Sequence, residues 1–360
     1  MTMTSVAQTM APQGAGVNAS ITVSEQVTEP EWDDFVGQHP EGTIDHRWRW
    51  RDIVSDVFGH ATTYLTARRG TRVVGVLPLV LFRSRLFGRS VVSMPFLNYG
   101  GVLSIDSEAT HALIDRARAV AQEFGASHIE LRHVTKQAPE LPCRQHKLQL
   151  TRSIPATSDE LWSLLDRKVR NQVRKAQKDG LCSEVGGAEL VDDFFAVFAT
   201  NMRDLGTPVY TKRLFSETTR LFPQEARVYV VRSGRRPVAA AITLRHQRTV
   251  LVPWASSLRQ YRQHCPNMLL YWTLLETCIR DEAHVFDFGR STPGSGPHQF
   301  KIQWGAQERP LQWEYVLLTR QSAPEHGPTT PAFARLVAAW KRMPVALANA
   351  LGPHIVRNIP

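Results

Sequence analysis

Two stretches decide how this chain is read: YLTARRGTRVVGVLPL, residues Tyr64–Leu79, and YVVRSGRRPVAAAITL, residues Tyr229–Leu244. Each opens on Tyr, turns at a glycine set among basic residues, and returns as a run of small and β-branched residues. An apolar run folded back at a glycine turn predicts an antiparallel hairpin. The flanks match as well. After the first copy, Val91–Met94 and Gly101–Ser104 read as strands on either side of Pro95–Gly100. His111–Phe124 then carries Leu113, Ile114, Ala117, Val120, Ala121 and Phe124 at helical spacing, Gly125 stops it, and His128–Arg132 reads as a strand. After the second copy, Val250–Ala255 reads as a strand, Asn267–Arg280 as a helix and His284–Phe288 as a strand. The order helix, hairpin, helix, strand thus occurs twice. It predicts a duplicated α+β domain with its boundary near Leu150–Ser158.

The segments outside the repeat are read by pattern. Glu31–Phe58 is helical in tone, with Trp32, Phe35, Trp48, Trp50, Ile53, Val54, Val57 and Phe58 as its buried set. Ser158–Asp179 reads as one helix, capped by Thr157 or Ser158 and ended by Gly180. Leu165, Val169, Val173 and Ala176 form its apolar stripe, and Arg167, Arg170, Arg174, Lys175 and Lys178 project elsewhere. Such a basic face is ordinarily solvated. With only Asp166 and Asp179 beside it, it is also a candidate phosphate site lined by Arg170 and Arg174. Gln321–Pro331 reads as a linker. Phe333–Leu351 then places Phe333, Leu336, Val337, Trp340, Leu347 and Leu351 on one face, with a kink at Pro344. That face either packs on its own domain or lies on an anionic membrane.

At 360 residues, with 42% hydrophobic content, nine Trp and fifteen Phe, the chain has ample core for two domains. A net charge of +10 and a pI near 9.8 favour anionic partners: phosphates, nucleic acid or a membrane surface. The basic surface lacks the aromatic-interleaved stripe expected of a nucleic-acid-binding module. Cys143, Cys182, Cys265 and Cys278 are far apart and make no zinc-type spacing, so reduced thiols and no metal are expected. Residues 1–20 are small and polar and have neither the basic start nor the apolar core of a secretory signal. No apolar run reaches the length of a membrane span. A cytoplasmic protein is expected.

The chemistry concentrates in VFDFGRSTPGSGPHQFKIQWGA, Val285–Ala306. A short apolar strand breaks at Gly289, and a loop of Ser, Thr, Pro and Gly follows, a composition that brings backbone close to a neighbour. Asp287, Arg290 and Lys301 stand beside it. The backbone of Gly294–Gly296 offers N–H donors, Ser295 and Gly296 keep the loop uncluttered, and Phe300 and Trp304 flank the lysine. Acyl transfer builds negative charge on a carbonyl oxygen, and a fixed cation or N–H pair stabilises it. Asp287 either orients an amine and takes its proton or caps the loop. No Ser/His/Asp or Cys/His arrangement supports an acyl-enzyme, so direct attack by an amine is expected.

The repeated unit resembles the GNAT acyltransferase fold, and DFGRSTPGSGPHQFKIQWGA resembles its FemAB-like branch, in which two GNAT domains lie in tandem. RKVRNQVRKAQKDGL, WASSLRQYRQHCPNMLLYW and WKRMPVALANALGPHIVRNIP are similar to FemAB-related proteins of exosortase and exopolysaccharide loci. The resemblance implies an α+β fold of two tandem GNAT-like domains, with mixed, mostly antiparallel sheets flanked by helices, plus a C-terminal helical tail. Its expected ranges are a disordered 1–20, domains at 21–150 and 151–320, and a linker and tail at 321–360. It implies transfer of an acyl or aminoacyl group to an amine of a cell-envelope or exopolysaccharide precursor, with the family's lysine falling on Lys301. The implied donor is acyl-CoA or aminoacyl-tRNA, with no tightly bound cofactor, and the tail at 333–351 is a candidate peripheral membrane contact. One departure stands out. GNAT enzymes that bind acetyl-CoA cradle its pyrophosphate on a glycine-containing loop at a helix N-terminus. The matching segment here, Arg259–Asn267, has cations and Asn267 but no glycine. This leaves the donor open. A non-catalytic GNAT scaffold of an envelope or polysaccharide system is the alternative reading.

Overall fold

A computed structural model describes residues 20–84, 88–324 and 331–359. The expectation of disorder at 1–20 lies almost wholly outside the described residues. The first half runs β1 (Ile21–Ser24), α1 (Glu29–Gln38), α2 (Trp50–Ile53), β2 (Ala61–Arg69), β3 (Arg72–Ser84), β4 (Gly88–Val92), β5 (Leu103–Ser104), α3 (Ser107–Phe124), β6 (His128–His133) and β7 (Cys143–Arg144). The second opens with β8 (Leu148–Ser153), α4 (Ser158–Leu164), α5 (Arg167–Lys178), β9 (Leu181–Gly186), α6 (Val191–Leu205) and α7 (Lys212–Leu221). It continues through β10 (Ala226–Ser233), β11 (Arg236–His246), β12 (Thr249–Ser257), α8 (Pro266–Arg280), β13 (Val285–Ser291), α9 (Gly296–Ile302), β14 (Gln307–Pro310) and β15 (Gln312–Leu317). Two helices end the chain, α10 (Pro331–Lys341) and α11 (Val345–Val356).

Both hairpins form as their sequences dictate. β2 pairs antiparallel with β3 and β10 with β11, and each closes on a two-residue loop between paired ends, Arg69 with Arg72 and Ser233 with Arg236. The first loop residue is a left-handed glycine in both, Gly70 at φ 63° and Gly234 at φ 58°. A two-residue hairpin loop needs that conformation to follow the strand twist. In each half one helix carries the chain to a parallel strand: α3 leads to β6, which pairs parallel with β4, and α8 leads from β12 to its parallel partner β13. The sheets run β1-β2-β3-β4-β6-β15-β7, with β5 on β3, and β14-β8-β13-β12-β11-β10-β9.

The halves are interlocked. The expected boundary at 150/151 falls inside β8, which pairs antiparallel with β13 in the second sheet. β15, from the range expected for the second domain, returns to the first sheet and pairs with β6. One hydrophobic cluster also joins the halves, packing Trp32, Trp50 and Phe58 with Phe194, Phe215 and Trp254. Trp50 lies 5.1 Å from Phe222 between ring centroids. Two further clusters cover the other sheet faces, one under α3 and one under α5 and α8.

One expected helix divides, and two ranges read as helical resolve into separate elements. Glu31–Phe58 is not one helix: His39 is extended (ψ 130°) before Pro40, as the proline ring demands of the residue it follows. Short helical turns at Ile44–His46 and Trp50–Phe58 resume after it. Ser158–Asp179 divides at Leu165 (ψ 144°), because Asp166 starts a new helix by accepting from Lys168 N at 2.6 Å. Phe333–Leu351 divides at Pro344 into α10 and α11.

The tail packs on α6, and of the face the sequence pattern selects only part is engaged, with Val337 against Gly206. Ala348, Gly352 and Val356 are buried, whereas Leu336, Leu347 and Leu351 are exposed. Gly352 makes this docking close, since a Cβ there would stand 2.8 Å from Val209 N. Arg203 Nη1 donates to Met343 O at 2.8 Å and His60 Nε2 to Arg357 O at 2.6 Å, fastening the tail at two further points.

Candidate active site

The parallel pairing of β12 with β13 covers only Thr249–Leu251 against Val285–Asp287. Beyond Leu251 and Asp287 the strands part, and the wedge between them opens into a cavity of about 570 Å³. Val252, Ser256 and Ser257 line one wall, Phe288, Gly289 and Arg290 the other, and Phe300 and Lys301 close one side. A second cavity of about 630 Å³ adjoins it and shares Ser257, Arg262, Asn267 and Phe300. Lys168 and Gln172 from α5, with Arg259 and Cys265, line this second space. Together the two cavities display Lys168, Arg259, Arg262, Arg290 and Lys301 and no carboxylate.

The lysine owes its position to the motif around it. The sequence shows a loop running to Phe300-Lys301-x-x-Trp304-Gly305; in the structure these residues form α9 and its end. Ser295 is the N-cap, accepting from His298 N, and so helps build the helix rather than line the cavity. Trp304 is fully buried in the core under α8 and also stays off the cavity wall. Gly305 is left-handed at φ 76°, and a Cβ there would meet the Arg152 guanidinium at 2.6 Å. That guanidinium donates to Trp304 O, pinning the helix end to β8. Lys301 is thereby buried, with Nζ donating to Gly289 O at 3.1 Å and Arg290 O at 3.0 Å. Both carbonyls lie beside the register shift of β13 against β8. Burial lowers the lysine from 10.5 to about 8, the Asp287 charge opposing and the Arg290 charge assisting. An ammonium spending two of its hydrogens on backbone has one left for the cavity it lines.

Asp287 is placed differently. It is buried and accepts from Tyr99 Oη (2.8 Å), Gln149 Nε2 (2.8 Å) and Gly289 N (2.7 Å). Burial raises its carboxyl, with those hydrogen bonds opposing. It lines a separate cavity of about 210 Å³ rather than the one Lys301 lines. Its bonds hold the bulged end of β13 against the first half of the chain. Arg290 does line the wedge cavity, and Asn98 Oδ1 accepts from its backbone N at 3.3 Å. Its guanidinium lies 5.3 Å from the Trp313 ring centroid, Nη1 is buried without a partner, and burial lowers it to about 10.

Gly296, Phe300, Arg259 and Asn267 line the joined cavities. Arg170 and Arg174 do not. Arg174 is exposed and lies 5.1 Å from the Trp162 ring, and Arg170 is half-buried. The break at Asp166 resets the helical phase, so Lys168 and Gln172, one turn apart, face the cavity instead. Asn98 and Asn201 also line the wedge, and no local pattern marks either. The glycine-free segment resolves simply: Arg259–His264 is a 3₁₀ turn and Cys265 takes φ 54°, the left-handed conformation usually left to glycine. Cys265 makes no side-chain cap, so the positive end of α8 faces the cavity lined by Cys265, Pro266 and Asn267. Among the described residues no His, Cys, Asp and Glu cluster is placed to hold a metal ion.

Residues 165–301 match the model of the acetyltransferase (GNAT) domain, a transferase domain. The whole chain has the α+β fold of two tandem GNAT-like domains, FemAB-like in arrangement. A crystal structure of FemX superposes with a TM-score of 0.63 at 16% identity, covering 83% of this chain and 98% of that one. The C-terminal domain of a putative lysylphosphatidylglycerol synthetase from Agrobacterium fabrum is similar at TM-score 0.54 and 12% identity, with coverage of 86% and 93%. L-PGS from Bacillus licheniformis is similar at 0.53 and 10%, with coverage of 88% and 98%. No curated protein sequence matches the chain.

Proposed function

We propose that this protein transfers an acyl or aminoacyl group from an activated, polyanionic donor to an amine, by direct attack. The observation that carries the reading is the pair of joined cavities in the wedge between β12 and β13, which present five cations, no carboxylate and the free end of α8. A helix N-terminus beside cations binds phosphate through backbone N–H groups and its dipole. The donor's phosphates therefore lie near Lys168, Arg259 and Arg262, and its reactive carbonyl lies toward Lys301. As the amine nitrogen bonds to the carbonyl carbon, charge gathers on the oxygen, where the Lys301 ammonium stabilises it. The tetrahedral centre then collapses, the bond from the carbonyl carbon to the donor breaks, and the amine proton leaves with the departing group or to water. Cys265 lines the donor cavity, but burial pushes its thiol up, which disfavours a thiolate nucleophile.

Acyl-CoA and aminoacyl-tRNA both fit a polyanion-binding trough. The acceptor is an amine of a cell-envelope or exopolysaccharide precursor, a reading supported by the resemblance of RKVRNQVRKAQKDGL and WKRMPVALANALGPHIVRNIP to exosortase- and exopolysaccharide-associated proteins. The test supplies the purified protein with labelled acyl-CoA, or with aminoacyl-tRNA, and an amine-rich envelope extract. Label appearing in an amide of the extract with one donor supports transfer. Tight donor binding with no transfer from either donor establishes a binding module instead.

A further inference from the structure

The C-terminal helix pair turns one face inward and leaves the other unused. Ala348, Gly352 and Val356 pack on the protein, while Leu347, Leu351, Ile355 and Ile359 recur every fourth residue along the outer side, each between 42 and 47% exposed. Leu336 on α10 is 68% exposed. Apolar side chains repeating in a row on a docked helix do not serve the core beneath them. The charge of the pair is one-sided: residues 331–359 carry Arg335, Lys341, Arg342 and Arg357 and no Asp or Glu. All four cations are exposed. Among the described residues no helix is long and apolar enough to cross a bilayer.

We infer that α10 and α11 form a docking platform for an anionic lipid bilayer, with the Leu/Ile row entering the headgroup boundary and the four cations meeting lipid phosphates. The absence of any carboxylate decides for lipid over a second copy of the chain, because two such faces repel each other. The platform also adjoins the reaction cavity. Val337 of α10 packs on Gly206, where an added Cβ would stand 2.6 Å from it, and the preceding Leu205 is half-exposed and lines that cavity. Docking therefore brings the cavity mouth to the membrane surface, within reach of an amine carried on a lipid. The docking itself stands whether or not Lys301 is catalytic.

The test is flotation of the full chain with phosphatidylcholine vesicles, with and without roughly one third phosphatidylglycerol. The chain is expected to float with the anionic vesicles only and to be released by high salt. Leu351→Glu with Ile355→Glu lowers binding at least about tenfold with the melting temperature retained, since both side chains already face solvent. Arg335→Gln and Lys341→Gln each weaken it about fivefold. These charge variants keep the proposal testable if the Glu pair misfolds. Failure of the unaltered chain to float, or unchanged binding in the folded Glu pair, overturns the proposal. So does light scattering that shows a dimer dispersed by the Glu pair, without vesicle binding.

Discussion

Lys301→Met removes the charge and keeps the length of the stem. Two opposing effects on stability are expected. Burial lowers this lysine from 10.5 to about 8, so holding it protonated at neutral pH costs on the order of 3 kcal/mol, which the methionine avoids. The same change strips Gly289 O and Arg290 O of the ammonium they share, at about 1–3 kcal/mol for each carbonyl left unsatisfied. The terms nearly cancel, and the melting temperature should move by no more than about 5 °C. Turnover should behave otherwise. Loss of a preorganised donor at a developing oxyanion costs roughly two to three orders of magnitude in kcat. The pH profile separates the roles of the same group. An ammonium that stabilises the oxyanion loses its charge above about pH 8, so kcat should fall there. A lysine acting as general base would give a rate that rises toward pH 8 and levels off. Single-turnover rates with saturating donor across that range decide the matter. A Lys301→Met protein with unchanged kcat and KM would refute the placement of Lys301 at the reacting carbonyl. A rise in donor KM alone would move it to the donor's phosphates.

Lys168→Ala and Arg262→Ala should each raise the donor KM about tenfold with little change in kcat, while Arg170→Ala with Arg174→Ala should leave both unchanged; steady-state kinetics on the four proteins checks the assignment of the trough. Trp304→Ala should cost about 3–5 kcal/mol in denaturant unfolding, because the ring is fully buried and anchors α9. Gly305→Ala combines a φ of 76° with the close approach of Arg152, and should cost on the order of 2 kcal/mol and loosen Lys301, seen as a fall in kcat. Asp45 accepts from Asn98 N and Tyr99 N, and burial raises it to about 7. The folded state thus binds the extra proton between about pH 4 and 7, and this residue's contribution to stability falls as pH rises through that window. Asp45→Asn should remove that dependence, stabilising the fold by a few kcal/mol above pH 7 and by almost nothing below pH 4, as urea titrations at the two pH values would show.

The local sequence by itself determined the repeat and what lies inside each copy. Tyr64–Leu79 and Tyr229–Leu244 encode hairpins because alternation, β-branched residues and a left-handed glycine act within a few residues of one another. The helices α3 and α8 are legible for the same reason. Phe300-Lys301-x-x-Trp304-Gly305 could be singled out from its composition, although not as a helix, since the loop before it carries the stronger local signal. Partnerships across the chain were decided only by the tertiary structure. β8, which straddles the expected boundary, pairs into the second sheet, and β15 crosses back to pair with β6 of the first, a choice made by unpaired sheet edges and by one core shared between the halves. The wedge exists because β12 and β13 stop pairing after three residues, and its walls draw on Asn98, Asn201, Arg262 and Lys301 from four separate segments. Asp287 and Arg290 sit three residues apart, yet one is tied up by Tyr99 and Gln149 while the other faces the cavity. Periodicity found the amphipathic tail but left open whether its leucine face packs or points outward: Leu and Gly differ in hydrophobicity in one direction and in the closeness of approach they allow in the other. At Gly352 it was close approach to the Val209 backbone that prevailed, and this left the leucines outside.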